Sequence, residues 1–183
     1  MVTPRSWTKP DAVAAMREFL SQPPPRRAAI RDLMKALLDD DPFERRCAAD
    51  LARLVSASEP GILQKYAGVL IDLVAAIPLE QWQARGYVTL AAALSAATRP
   101  QRMRLVVQVR RLAEDRRIAL RAIALEAFAI LASAEPELRD EAMERIEKSR
   151  RDNVPAMRTR ARRMMLLLMA PNEKKSRATT QRL

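Results

Sequence analysis

Histidine is missing from this 183-residue chain, and cysteine occurs once, as Cys47. Without histidine, neither a Ser-His-Asp nor a Cys-His catalytic set can form. A single cysteine makes no intrachain disulfide, and structural zinc sites draw on cysteine and histidine ligands. The phosphate-binding signatures GxGxxG and GxxxxGK are also absent. We therefore expect no metal, no cofactor and no catalytic residue, and we interpret Cys47 as a small buried side chain.

Glycine and aromatic residues are scarce as well, with three glycines and 4% aromatic residues in the chain. Alanine, leucine and arginine dominate instead, and these residues lose little free energy on entering a helix. We find no convincing run of β-branched and aromatic residues bounded by turn residues. The composition therefore predicts an all-α protein.

Long apolar runs are the third absence. No stretch approaches the roughly 20 apolar residues that a membrane-spanning helix needs. The first residues, "MVTPRSWTKPDAVAAM", lack the apolar core of a signal peptide. These features predict a soluble, cytoplasmic protein with no membrane span.

One spacing recurs along the chain: an aspartate, five residues, an arginine, two residues and an alanine. A fourth arginine, Arg85, lies between the first two copies, and the four arginines are separated by 39, 36 and 37 residues. A period of this length is typical of stacked helical repeats. The three full copies are Asp40, Arg46 and Ala49; Asp115, Arg121 and Ala124; and Asp152, Arg158 and Ala161.

Each repeat divides into two predicted helices, and prolines mark the joints between them. The predicted first helices are 26–39, 61–77, 100–114 and 136–150, and the second helices are 43–57, 80–97, 116–134 and 154–169. A further helix, 9–20, starts after the capping residue Thr8 and precedes a proline-rich spacer. We therefore divide the chain into an N-terminal helix with its spacer (1–25), a repeat domain (26–170) and a basic tail (171–183).

Over residues 26–170 this pattern resembles HEAT repeats, which are paired helices with an Asp in the inner turn and an Arg in the second helix. The resemblance implies a right-handed α-solenoid of about four hairpins behind an N-terminal capping helix, with the second helices lining a concave face. It also implies that the Asp and Arg residues bond between neighbouring repeats as a structural ladder, although contact with a ligand remains an alternative. The ladder residues are Asp40, Arg46, Arg85, Asp115, Arg121, Asp152 and Arg158.

The net charge of +11 is concentrated at the C-terminal end of the chain, because residues 149–183 contain ten basic and two acidic residues. A basic block of this kind favours an anionic partner, and the alternative is a solvated terminus that aids solubility. The candidate anion-binding residues are Arg150, Arg151, Arg160, Arg162, Arg163, Lys174 and Lys175.

The helix predicted at 154–169 ends in four consecutive apolar residues, Leu166 to Met169, which point all around its axis. Its own hairpin partner and the preceding repeat could bury these residues. Alternatively, the apolar surface is an interface, and the chain forms a homodimer through this helix.

For function, the sequence favours a non-catalytic scaffold that binds a protein partner through its concave face. The alternative is a sequence-independent nucleic-acid binder that uses the basic C-terminal helix and tail. Some HEAT-like proteins are alkylpurine DNA glycosylases, so the resemblance carries that activity as a remote alternative, in which Asp50 is the candidate acid and otherwise a solvated surface residue. The candidate concave-face residues are Arg45, Asp50, Arg53, Trp82, Tyr87, Arg117 and Arg160.

Overall fold

The computed structural model describes residues 8–170, and this part of the chain is all-α, as predicted, with no strand. It contains nine α-helices and three short 3₁₀ turns. None of these helices combines the length and the apolar character that a membrane crossing requires. The helices are α1 (Lys9–Ser21), α2 (Arg27–Leu37), α3 (Pro42–Ser58), α4 (Ala67–Ala76), α5 (Trp82–Ser95), α6 (Arg99–Ala113), α7 (Ile118–Ala134), α8 (Arg139–Arg150) and α9 (Pro155–Met169).

Short polar side chains set several helix starts. Thr8 and Asp11 form a reciprocal capping box at α1, and Thr98 and Gln101 form one at α6. The Asp41 side chain accepts a hydrogen bond from the Phe43 backbone N–H at the start of α3. The predicted helices begin within a few residues of these positions. The exceptions are α4 and α8, which start later because the 3₁₀ turns Gln64–Tyr66 and Pro136–Leu138 precede them.

The helices pack as four consecutive hairpins: α2 with α3, α4 with α5, α6 with α7, and α8 with α9. The second helices also pack on one another in chain order, α3 on α5, α5 on α7, and α7 on α9. Helix α1 packs on α3 and so extends this row at its N-terminal end. The core lies between the two layers of helices and is rich in alanine and leucine.

Arginine side chains bind the turns inside two of the hairpins, and in the first hairpin the arginine that does so is not the predicted one. The Arg45 guanidinium donates to the backbone carbonyl of Asp39, and Arg158 donates to that of Asp152 at 3.0 Å. In the first hairpin the equivalent pair is therefore Asp39 and Arg45, one residue earlier than the predicted Asp40 and Arg46. Asp40 is exposed. This alignment places each turn arginine four residues after the N-cap of its second helix: Arg45, Arg85, Arg121 and Arg158.

The turn aspartates bind the backbone, and Asp115 also contacts the Arg117 side chain at 3.4 Å. Asp39, Asp115 and Asp152 each accept a hydrogen bond from the N–H two residues later, at 2.8–2.9 Å. The three carboxylates thus order the turns, and the predicted bonding of Asp and Arg between neighbouring repeats stays a prediction. The Arg121 side chain forms no hydrogen bond or ion pair with any residue from 8 to 170, and Arg121 lines a cavity of about 380 Å³ together with Asp115 and Asp152.

Contacts between neighbouring repeats do occur at this end of the hairpins. Arg45 donates to the Gln81 side chain at 2.6 Å, and Arg46 donates to that of Gln83 at 3.3 Å. Burial lowers the pKa of Arg85, and the Asp115 carboxylate of the next hairpin partly opposes this shift. The linkage between repeats is therefore real, but its members are mostly Arg and Gln.

A second set of arginine contacts, not predicted from the sequence, joins the opposite ends of the hairpins. Arg26 binds Glu59 at 2.9 Å, and Arg102 binds Glu135 at 2.6 Å. Each arginine is near the start of a first helix, and each glutamate is the C-cap of the second helix of the same hairpin. These contacts tie the two helices of a hairpin together where the chain leaves it.

Two helical glycines differ in their surroundings, and this difference yields a prediction. A Cβ added to Gly68 meets nothing within 4 Å, whereas one added to Gly86 lies 2.7 Å from Cδ1 of Ile123 and 3.2 Å from a methyl group of Leu120. Gly68→Ala is expected to raise the free energy of unfolding by about 0.5 kcal/mol through helix propensity.

The corresponding change at Gly86 tests how closely α5 and α7 must approach. Gly86→Ala is expected to raise the free energy of unfolding by less than Gly68→Ala does. Gly86→Leu is expected to lower it by about 2–3 kcal/mol through overpacking. Urea denaturation followed by circular dichroism measures all three variants. Equal gains for alanine at both positions would contradict the close packing of α5 on α7.

Candidate binding groove

A groove of about 1170 Å³ runs along the second helices, α3, α5, α7 and α9. In the packing order of these helices α3 and α9 are the outer members and α5 and α7 the inner ones, and we call them the sides and the floor of the groove. Much of the lining is apolar, including Leu90, Leu94, Ile123 and Ile130. The groove is larger than the other described cavities and has the volume of a ligand or peptide site.

In α5, α7 and α9 the groove positions follow the repeat spacing, whereas α3 lines the groove through Arg53 and Ala57, which lie outside this spacing. Residues two, five and nine positions after a turn arginine lie on one helix face, because this spacing matches two helical turns. In α7 these residues are Ile123, Glu126 and Ile130, and all three line the groove. In α9 they are Arg160, Arg163 and Leu167, which also line it, as do Tyr87, Leu90 and Leu94 of α5.

At the α3 side, an ion pair lies beside an aromatic ring. The Arg53 guanidinium binds the Asp50 carboxylate, with Nε 3.0 Å from Oδ1, and lies 5.2 Å from the centre of the Tyr87 ring. Burial raises the pKa of the Tyr87 phenol, the Asp50 carboxylate raises it further, and Arg53 and Arg46 partly offset the shift. Arg53 is thereby held against the groove wall by both a carboxylate and a ring.

At the α9 side, a second ion pair joins two helices. The Arg160 guanidinium contacts the Glu126 carboxylate of α7. Burial lowers the pKa of Arg160, and the nearby charges of Arg163 and Arg53 lower it further. Three guanidinium groups from opposite walls thus share one electrostatic environment, and two of them are paired with a carboxylate.

The mouth of the groove carries exposed apolar side chains. Leu166 is 72% exposed and Leu167 is 40% exposed, and both line the groove, as does the exposed Ile118 at the start of α7. Leu168 is buried, so the run at the end of α9 is covered on one side only. The expectation that its hairpin and the preceding repeat bury the run therefore holds for Leu168 and fails for Leu166, Leu167 and Met169.

Of the predicted concave-face residues, Arg53, Trp82, Tyr87 and Arg160 line this groove. Asp50 reaches it through Arg53. The interpretation of Asp50 as a solvated surface acid is wrong, since the residue is 7% exposed. Arg45 is used at the turn inside its own hairpin and contacts Gln81 of the next hairpin, as described above.

Arg117 is the N-cap residue of α7, and its side chain lies at 3.4 Å from the Asp115 carboxylate at the turn. Neither Arg45 nor Arg117 lines the groove. Both residues fall on second helices in the sequence, but they lie at the helix start, where the side chains face the turns.

The predicted anion-binding residues are divided between surfaces. Arg162 and Arg163 are exposed on α9, whereas Arg160 faces the groove and contacts Glu126. Arg150 binds Glu147 at 2.8 Å, and Arg151 is exposed after the end of α8. Lys174, Lys175 and the rest of the basic tail lie outside the described residues.

Sequence reasoning missed Ile118, Glu126 and Leu90 as groove residues. For Leu90 and Glu126 the signal was present, because each follows a turn arginine by five residues, as Arg163 also does. No group of three acidic or cysteine side chains within residues 8–170 could hold a metal ion.

Comparisons with protein-family models, with curated proteins and with solved structures find no match to this chain.

Proposed function

We propose that this chain is a HEAT-like scaffold that binds a protein partner in the groove along its second helices. In this proposal four hairpins form a right-handed α-solenoid, and α1 caps its N-terminal end. The in-order packing of α3, α5, α7 and α9 supports the architecture. The observation that carries the function is the apolar floor and mouth of the groove, in which two of the three lining arginines are already bound to carboxylates.

A protein partner suits this lining better than nucleic acid does. Arg53 and Arg160 are the arginines that face each other across the groove, and each is already bound to a carboxylate. A phosphate backbone would have to compete with these carboxylates, and affinity for nucleic acid depends largely on free cationic charge. Exposed Leu166 and Leu167, by contrast, gain free energy when another apolar surface covers them.

Site-specific photo-crosslinking tests the proposed function. A photoreactive residue at Leu167, in the groove, is compared with one at Val107, which is exposed on α6 outside the groove. In a nuclease-treated lysate, we expect a discrete protein adduct from the groove position and none from the control. Leu167→Asp should then weaken binding of the purified partner about tenfold or more, because it places a charge in the apolar contact, and Val107→Asp should not.

Two other results would redirect the assignment. Adducts that disappear on nuclease treatment would favour the alternative function, binding of nucleic acid by the basic face of α9 and the tail. Release of a damaged base from alkylated duplex DNA, abolished by Asp50→Asn, would favour a glycosylase. We expect no release, because the Asp50 carboxylate is buried and bound by Arg53.

A further inference from the structure

The charges that face the groove are unevenly satisfied. Asp50 binds Arg53 and Glu126 contacts Arg160, whereas Arg163 forms no ion pair with any residue from 8 to 170. Arg163 is exposed and lines the groove beside exposed Leu166 and Leu167. A carboxylate entering here would meet an available guanidinium and would also offset the mutual repulsion of the three arginines.

The walls of the groove restrict the conformation of what enters it. They are formed by helices, whose backbone N–H and C=O groups are bonded internally. Apart from the charged residues, Trp82 and Tyr87 are the lining side chains able to form strong hydrogen bonds. An extended segment would leave its own backbone groups without partners in this apolar site, whereas a helix satisfies them internally.

The apolar residues of the lining come from several helices. Ile118 and Ile130 of α7, Leu90 of α5 and Leu167 of α9 all contribute side chains to the groove. An extended apolar lining of this kind suits the apolar face of a helix, with side chains at positions i, i+3, i+4 and i+7.

From these observations we infer that the groove binds an amphipathic α-helix of a partner protein that places a carboxylate opposite Arg163. The inference rests on the proposed function and specifies its partner by chemistry. Apolar side chains of the helix cover the lining, and its acidic residue fixes its position along the groove. Because Arg163 is partly hydrated, affinity for the acidic helix falls as salt concentration rises.

The chain offers a matched control for this charge. Arg162 is the adjacent residue on α9 and is also exposed, but it does not line the groove. Arg162→Glu and Arg163→Glu therefore change the net charge of the chain equally, and they differ in which surface loses its cation. Comparison of the two separates recognition in the groove from general attraction to a basic protein.

A random 16-residue peptide library displayed on phage provides the probe. The full chain is immobilised, binders are selected in the presence of excess duplex DNA, and phage that also bind Leu167→Asp are removed. We expect enriched peptides with apolar residues at helical spacing and at least one Asp or Glu. The best synthetic peptide should bind Arg163→Glu about tenfold more weakly and Arg162→Glu within about twofold of the original chain.

Replacing the acidic residue of that peptide with lysine should restore its binding to Arg163→Glu. Groove-dependent peptides that lack carboxylates, that contain proline at their centre, or that respond equally to both arginine variants would overturn this inference and leave the proposed function standing. If no enriched peptide depends on Leu167, the proposed function fails together with it.

Discussion

Replacing Arg102 with alanine is expected to lower the free energy of unfolding by about 3 kcal/mol. The Arg102 side chain is 17% exposed, and Nε lies 2.6 Å from the Glu135 carboxylate, which is 6% exposed. The same guanidinium donates to the backbone carbonyls of Ala96 and Ala97. Its removal leaves a buried carboxylate with only the more distant and exposed Arg99, at 3.6 Å, and frees two carbonyls at the end of α5.

Arg104 supplies the control on the same helix. It also forms an ion pair with another helix, to Asp72 of α4, but its side chain is 58% exposed and that of Asp72 is 68% exposed. Arg104→Ala is expected to change the free energy of unfolding by less than about 1 kcal/mol, because water and salt screen this pair. Urea denaturation of both variants measures the two changes in the free energy of unfolding. Similar losses for the two would show that the Arg102 pair does not act as a buried tie.

The class and order of the helices could be predicted from the sequence because local signals agree. Prolines mark the joints, Thr8 and Thr98 cap helix starts, and glycine is almost absent from the helices. The packing of second helices in chain order follows from the repeat period, since similar units bury similar faces against each other. Local and long-range preferences therefore point to the same arrangement.

The alignment within the first repeat could not be fixed in this way. Three consecutive aspartates, Asp39 to Asp41, precede two consecutive arginines, Arg45 and Arg46, so two alignments have the same spacing. The structure distinguishes the two alignments, because Asp41 is the N-cap of α3 and its backbone N–H donates a hydrogen bond to the Asp39 side chain. A pattern of residue types cannot distinguish a capping aspartate from its neighbours.

The hairpin ties at the opposite ends were also missed, although the chain contains their pattern. Glu59-Pro60 and Glu135-Pro136 lie two repeats apart, and each glutamate ends a second helix. Their partners, Arg26 and Arg102, lie more than 30 residues earlier in the chain. A contact between such distant positions follows only from the packing of the hairpin.

The groove depends even more on tertiary structure. Leu166 and Leu168 are both apolar residues of one helix, yet one is 72% exposed and the other is buried. The difference arises because α9 packs on α7 and α8, so that only one side of it is covered by described residues. Composition predicts an apolar helix, and only the arrangement of its neighbours determines which side remains available.

Phe128→Ala is expected to lower the free energy of unfolding by about 4 kcal/mol. The ring is 1% exposed within α7 and belongs to the core. The Arg145 guanidinium of α8 lies over it, 5.3 Å from its centre. Truncation would leave an unfilled space beside the cavity that Phe128 already lines, and rigid helical walls could close it only in part.

Phe43 distinguishes burial from the contact with arginine as the cause of that loss. Its ring also has a guanidinium over it, that of Arg46 at 5.2 Å, but the residue is only half-buried at the start of α3. If the arginine contact dominated, both alanine variants would lose a similar free energy, since a cation–π contact is worth about 0.5–2 kcal/mol at either site. If apolar burial dominates, Phe43→Ala should lower the free energy of unfolding by about 1 kcal/mol and Phe128→Ala by several times more.

Arg145→Met provides the complementary measurement, because it removes the charge and retains the apolar stem. It should lower the free energy of unfolding far less than Phe128→Ala does. If Arg145→Met lowered the free energy of unfolding as much as Phe128→Ala, the stability of this region would depend on the Arg145 charge and not on the burial of the ring.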